Sequence, residues 1–330
     1  MATLRLLTAA DIAGIAPARQ DVLAAVAQGL KAQAEGSAVA AATQSFRPGP
    51  AGALVSAIGG ALPGEGLAAV KVVGTYPENA GLGLPPNPGL LVLLDSATGV
   101  PRALLDAARL TTLRTAAVTA LGIRALARPG ARVLGCIGSS GIAVEALRLA
   151  VPDLALDEIR LHGRNPVACA TAAAALSEEL GTAVLPAPDW RACLEGADVM
   201  IEGASLPEDR VLFPTDVIAP GATLVAYGAH SAFAPDLPAW IDRLVMDRWA
   251  SDPAGALGPH VAAGTISSVS VDAFIGDVLA GRAEGRCAAE ERIMFWHRGV
   301  AACDIALAGL LLEAAGQAGC GHDIPLDPTP

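Results

Sequence analysis

The chain has 330 residues, 53% of them hydrophobic and only 3% aromatic, and carries a net charge of −11. That length suits two domains of ordinary size, with cores built from small side chains. An acidic balance without a basic block argues against nucleic acid or an anionic membrane as a partner, and any cation that takes an anionic substrate must act locally.

Thr8 caps an expected helix over residues 11–16, and 20–35 reads as a longer amphipathic helix. Strand patterns follow at 54–58, 68–74 and 90–94, the last with the continuous apolar character of a buried strand. Gly and Pro punctuate this part heavily, at Pro48-Gly49-Pro50 and Pro85-Pro86-Asn87-Pro88-Gly89, as loops shaping a pocket would. Leu110-Thr111-Thr112-Leu113-Arg114-Thr115-Ala116-Ala117 then opens an Ala-rich helix that stops at Arg128-Pro129-Gly130.

From there strands and helices alternate with short turns. The pattern predicts strands at 132–138, 158–162, 182–185, 197–201, 222–227 and 243–247. Helices are expected at 142–150, from about 166 to 180, and over 189–194. Such alternation implies right-handed crossovers and a parallel sheet, and its length and order fit a Rossmann domain. A C-terminal helix over 299–313 needs an apolar surface, which the first part of the chain is expected to supply. The expected architecture is α/β: a Rossmann dinucleotide-binding domain (114–304) inserted in a discontinuous α+β substrate-binding and dimerisation domain (1–113 and 305–330).

Two helix starts separated by one strand suggest the chemistry. A helix N-terminus offers unpaired N–H groups and about half a positive charge, so it favours anions. The first start carries Arg114 in its expected opening turn, suited to bidentate grip on a carboxylate or phosphate. The second follows Gly138-Ser139-Ser140-Gly141-Ile142-Ala143, a strand-to-helix turn of the kind that holds dinucleotide pyrophosphates. After the second strand, His162-Gly163-Arg164-Asn165 offers no acid for the ribose hydroxyls of NAD. The Arg164 guanidinium suits a 2′-phosphate, so NADPH is expected ahead of NADH, with NADH possible. Glu202 is expected to turn to solvent rather than to line a pocket.

No apolar run reaches the roughly 18 residues of a membrane span without a charge, Pro or Gly cluster. Residues 1–30 lack a signal-peptide layout, because Asp11 and Arg19-Gln20-Asp21 interrupt them. Six cysteines show no CxxC and no metal spacing, and Cys136 and Cys303 sit in apolar runs as buried small hydrophobes. A cytoplasmic protein without a metal site is expected.

Together these features resemble the ornithine cyclodeaminase/mu-crystallin family nearly end to end. The matching pieces are Lys71-Val72-Val73 with Tyr76-Pro77-Glu78-Asn79, Gly89–Asp95 with Thr98-Gly99, and Ala103-Leu104-Leu105-Asp106. Leu110-Thr111, Arg114-Thr115-Ala116-Ala117, the Gly138 turn and Ala197-Asp198-Val199 continue the match. Gly276-Asp277-Val278, Gly281-Arg282, Gly285-Arg286, Gly299 and Asp304 complete it. The resemblance implies hydride exchange between a nicotinamide and a substrate α-carbon, in reductases of 2-imino acids, amino-acid dehydrogenases or cyclodeaminases of ornithine and lysine. It also implies a homodimer formed through the first domain.

By the same resemblance Lys71 approaches the substrate, Arg114 clamps its carboxylate, and Arg47 is the candidate for a further carboxylate arginine. Thr115 contacts a cofactor phosphate. The remaining cofactor set is Gly138, Ser139, Ser140, Gly141, Ile142, Arg164, Asn165, Ser205 and Gly228. The chain departs from the family at its turn, which normally reads Gly-x-Gly-x-Gln-Ala, and at two histidines. His230 aligns with a catalytic aspartate, and His297 with a small hydroxyl residue. An imidazole can donate or accept a proton near neutrality, as imine chemistry requires. His162, His260 and His322 read as structural or exposed.

The expected function is an NAD(P)H-dependent reductase of 2-imino acids acting on a small amino- or imino-acid substrate, with Lys71, His230 and His297 as catalytic candidates. The alternatives are a cyclodeaminase, disfavoured by the missing aspartate, and a mu-crystallin-like binding protein without turnover.

Overall fold

A computed structural model describes residues 2–139, 141–203, 213–227, 232–249 and 257–326. The chain forms two compact units, Met1–Arg114 with Val300–Pro330, and Thr115–Gly299. The second division falls just before the C-terminal helix, five residues ahead of the boundary at 304/305 read from the sequence.

The first unit begins with β1 (Ala2–Leu7), followed by α1 (Ala9–Ile15) and α2 (Arg19–Glu35). Thr8 starts α1 through a reciprocal capping box with Asp11. Then come β2 (Val39–Ala40), β3 (Gln44–Phe46), β4 (Leu54–Leu62), β5 (Leu67–Thr75), β6 (Gly89–Asp95) and β7 (Pro101–Asp106). The sheet runs from the C-terminal strand His322–Leu326 through β1, β7, β6 and β5 to β4, which pairs with both β2 and β3. The β1–β7 pair is parallel and the others are antiparallel.

Side-chain alternation along β5 gives the sheet two unlike faces. Leu67, Ala69 and Lys71 are buried, whereas Val70 and Val72 between them are exposed. The buried face continues through Leu91, Leu93, Ala103 and Leu105. Full burial of each such leucine contributes about 1.5–3 kcal/mol. The C-terminal helix Ala301–Ala318 packs on α2 and β4, the surface expected of it. The contact is close: a Cβ at Gly29 of α2 would come within 2.8 Å of the Ala302 backbone. This helix is long and apolar enough to cross a membrane by composition alone, but half of it is buried within the protein and it carries buried Asp304.

Helix α3 spans Ala107–Leu126, and the division between units falls inside it, after Arg114. It starts three residues earlier than the sequence suggests, because the Asp106 carboxylate accepts the Arg109 amide at 2.7 Å and caps it. Arg114 therefore lies two turns into the helix rather than in its opening turn. The first helix start already holds an acid of its own and is not the anion site expected.

The second unit is a parallel sheet. Its strands are β8 (Val133–Ile137), β9 (Glu158–His162), β10 (Val184–Pro186), β11 (Val199–Glu202), β12 (Thr223–Tyr227), β13 (Arg243–Met246), β14 (Ala273–Phe274) and β15 (Ile293–His297). They are ordered β10-β9-β8-β11-β12-β15-β13-β14, all parallel. Helices α4 (Ile142–Ala150) and α5 (Pro166–Leu180) make the first crossovers. The first five strands follow the Rossmann order, with the reversal between β8 and β11 where ligands bind at strand C-termini. Strand β15, absent from the expected set, slides between β12 and β13. Its Phe295 and Trp296 are fully buried. Asp198 ties the sheet together at its other end, accepting the Arg132 and Val133 amides at 2.6 and 3.0 Å and the Arg128 guanidinium.

All six cysteines are free, and Cys136 and Cys303 are buried as expected. Among the described residues no cluster of His, Cys, Asp and Glu is arranged to hold a metal ion.

Candidate active site

In the first unit the sheet and two helices bring three charged side chains together. Lys71 sits on the buried face of β5, opposite Ile58 of β4 and Leu91 of β6. Its Nζ donates to Asp304 Oδ2 at 2.7 Å, and Arg114 Nε donates to Asp304 Oδ1 at 3.0 Å. The three side chains are only 3, 8 and 5% exposed for Lys71, Arg114 and Asp304.

Burial pushes the Lys71 ammonium below the ordinary lysine range; Asp304 opposes that in part, and Arg114 adds to it. Burial alone would raise the Asp304 carboxyl, but Arg114 and Lys71 outweigh it and hold the group below its usual range. Asp304 also lies in the first turn of its helix, where the partial positive charge favours a carboxylate. Two cations predicted from sequence are thus neighbours, joined by an acid whose role sequence reasoning missed. The sequence offered two signals, the match of Asp304 to the family and its place in the first turn of a largely apolar helix, but neither gave it a role.

Arg47 is not part of this cluster. It is exposed, just beyond the exposed strand β3.

In the second unit the turn after β8 has the geometry of a dinucleotide site. Gly138 has φ +119°, a conformation that L side chains rarely adopt, and a Cβ there would lie 3.2 Å from Ala143 Cβ and the Gly203 oxygen. Gly141, with φ +55°, precedes α4, whose first amides receive no side-chain cap. An uncapped helix start behind a cramped glycine fits a pyrophosphate. Thr115, next to Arg114 in α3, is buried, and Ser139 and Ile142 are half-buried at the turn. The Ser139 hydroxyl occupies the space a side chain at Gly163 would need. Ser140, Ser205, Gly228 and His230 lie outside the described residues.

Arg164 is exposed at the end of β9, as a side chain reaching for a phosphate would be. Asn165 beside it caps α5, its Oδ1 accepting the Val167 and Ala168 amides at 3.1 Å each. His162 Nδ1 lies 3.1 Å from the Ala187 carbonyl, a structural contact as expected. Glu202 ends β11 beside Ile137 and is only 3% exposed, not turned to solvent. Parallel pairing with β12 and the reversal of strand order enclose it.

His297 ends β15 in register with Tyr227. It is 1% exposed, with Nε2 3.0 Å from the Thr119 hydroxyl and its ring stacked on Phe295.

Comparison with known proteins adds to this geometry. Residues 6–318 match the model of the ornithine cyclodeaminase/mu-crystallin family. A delta(1)-pyrroline-2-carboxylate reductase of Burkholderia ambifaria is 34% identical over 250 residues, 73% of this chain and 74% of that protein. Its counterpart from Bacillus cereus is 30% identical over 274 residues, 79% of this chain and 82% of the relative. The structure of iminosuccinate reductase of Paracoccus denitrificans with NAD+ is similar with a TM-score of 0.86 at 25% identity, covering 98% of this chain and 100% of the other. With a fold, a dinucleotide turn and a family match spanning nearly its whole length, the chain belongs to the ornithine cyclodeaminase/mu-crystallin family.

Proposed function

We propose that this chain, an NAD(P)-dependent oxidoreductase, reduces 2-imino acids to amino acids and in the reverse direction oxidises the amino acids. The observation that carries the reading is the pairing of Lys71 and Arg114 on one buried carboxylate. Two cations buried together in an acidic protein serve a binding purpose better than a structural one. The relatives' names, pyrroline-2-carboxylate and iminosuccinate reductases, describe substrates with a carboxylate next to a C=N bond.

Arg114 and Lys71 hold the substrate carboxylate and so orient the adjoining imine carbon, a positioning effect that can lower a barrier by several kcal/mol. The bound nicotinamide supplies the hydride. An iminium accepts hydride far better than a neutral imine, so a proton must be held at the imine nitrogen. Lys71 Nζ is a titratable group at the carboxylate site, and His230 is a second donor. Thr115, the 138–142 turn, Asn165, Ser205 and Gly228 hold the cofactor, and Arg164 selects NADPH.

His230 stands where the family's catalytic aspartate aligns, which favours the reductase over a cyclodeaminase of diamino acids. The exposed face of the first sheet suits a homodimer, and six free cysteines suit the cytoplasm.

The test is to mix the protein with NADPH or NADH and a cyclic 2-imino acid and follow loss of reduced-nicotinamide absorbance. Turnover should appear with one or both cofactors. Arg114→Lys should reduce kcat/KM at least about tenfold, because an ammonium cannot reproduce the planar two-point contact. A protein that binds cofactor but turns over no imino or amino acid would point instead to a binding role.

A further inference from the structure

Lysine is scarce in this chain: of 22 Lys and Arg residues only Lys31 and Lys71 are lysines. Arginine supplies the cations almost everywhere else. A guanidinium stays charged under all ordinary conditions, whereas an ammonium loses its proton readily when buried. A lysine on the buried face of β5 therefore needs something that keeps it charged.

Among the described residues, few groups face Lys71. Asp304 and Cys303 reach it from the C-terminal helix and Arg114 from α3, while β4 and β6 present Ile58 and Leu91. Of these, Asp304 is the strongest influence favouring the ammonium, opposing both burial and Arg114. It also gives its other oxygen to Arg114, so a single rigid carboxylate sets the positions of both cations.

We propose that Asp304 is the positioning residue of the carboxylate site, holding Lys71 charged and side by side with Arg114 so that the two can receive a substrate carboxylate. The inference rests on the imino-acid reading above and gives this acid its role within it. Binding of a substrate carboxylate brings a second anion to the pair. It should therefore favour the Lys71 ammonium further and draw a proton onto Nζ at high pH.

With only two lysines, the full-length protein labelled with 13C- and 15N-lysine gives two side-chain signals, and Lys71→Met assigns them. In the NADH-bound protein, L-proline as the carboxylate probe should raise the pH at which Lys71 titrates. Asp304→Asn should lower that pH by about one unit, a tenfold change in proton affinity. KM for the imino acid should rise at least tenfold, with a smaller fall in kcat. Asp304→Glu keeps the charge but displaces it, and should leave Lys71 charged while still raising KM.

An Asp304→Asn protein with the Lys71 titration and KM of the wild type overturns the proposal. If that variant does not fold, a wild-type KM and pH profile in Asp304→Glu overturns it. Failure of the imino-acid reading is a separate result. Wild-type protein would then show neither turnover nor a proline effect, while a lowered Lys71 titration in Asp304→Asn would still support the hold on the lysine.

Discussion

His297 Nε2 and the Thr119 hydroxyl lie 3.0 Å apart in the interior of the second unit, the histidine 1% and the threonine 0% exposed. Phe295 and Tyr227 enclose the imidazole with ring centroids at 5.1 and 5.8 Å. A ring so little exposed is poorly placed to exchange a proton with water. His297→Gln is expected to keep the pH–rate profile of the wild type and to cost about 1–3 kcal/mol of stability through the lost buried contact. A profile flattened near neutrality in this variant would make His297 the proton donor after all.

Asp198 gives the clearest pH dependence. Burial would raise its pKa, but the Arg132 and Val133 amides and Arg128 together lower it. A carboxyl depressed on folding stabilises fully above its unfolded pKa of about 3.9, and that stability is lost as pH falls through the folded value. Asp198→Asn should therefore cost about 1–3 kcal/mol at neutral pH. The gap between variant and wild type should narrow below about pH 4. Urea denaturation at neutral and acid pH measures both; a gap that persists unchanged in acid would remove the charge from the explanation.

Much of the second unit was legible because its local signals agree. Strands such as β8 are nearly all apolar, and two of the helices announce their starts with a capping side chain: Asn165 before Pro166, Asp189 before Trp190. β15 escaped notice because it ends in His297 and inserts out of chain order, between strands that precede it. β7 was hidden by Pro101, Arg102 and Asp106, and by running straight into α3. Misplacing that helix start put Arg114 in an opening turn it does not occupy. Lys71 was found by resemblance and Arg114 by its place in a helix as well as by resemblance, but what joins them was not. Asp304 is 190 residues from Arg114 and 233 from Lys71, a proximity only the fold creates.

The outward face of the first sheet supports the proposed homodimer. Val70, Val72 and Leu90 are 43, 46 and 48% exposed, and neighbouring positions on β5 and β6 are also apolar. A contiguous apolar patch of this kind usually meets a partner. The double variant Val70→Lys with Leu90→Glu should shift the particle to half its mass without unfolding the sheet, since both side chains already point outward. Light scattering reads the result, and a wild-type protein that is already monomeric at micromolar concentration would count against the dimer.

Cofactor choice turns on Arg164. It follows β9, where an acid would accept hydrogen bonds from the ribose hydroxyls, and it is exposed with no acid beside it in sequence. Asn165 uses only its Oδ1 to cap α5 and is uncharged, and His162 contacts the Ala187 carbonyl, so among these neighbours the guanidinium is the group suited to a 2′-phosphate. NADPH should bind more tightly than NADH. Arg164→Ala should erase most of that preference, weakening NADPH about tenfold or more while leaving NADH nearly unchanged, as expected for loss of one charge-assisted contact worth about 1.5–3 kcal/mol. Fluorescence titration with both cofactors decides it. Equal affinities before and after the substitution would show that the 2′ position goes unread and that NADH serves equally well.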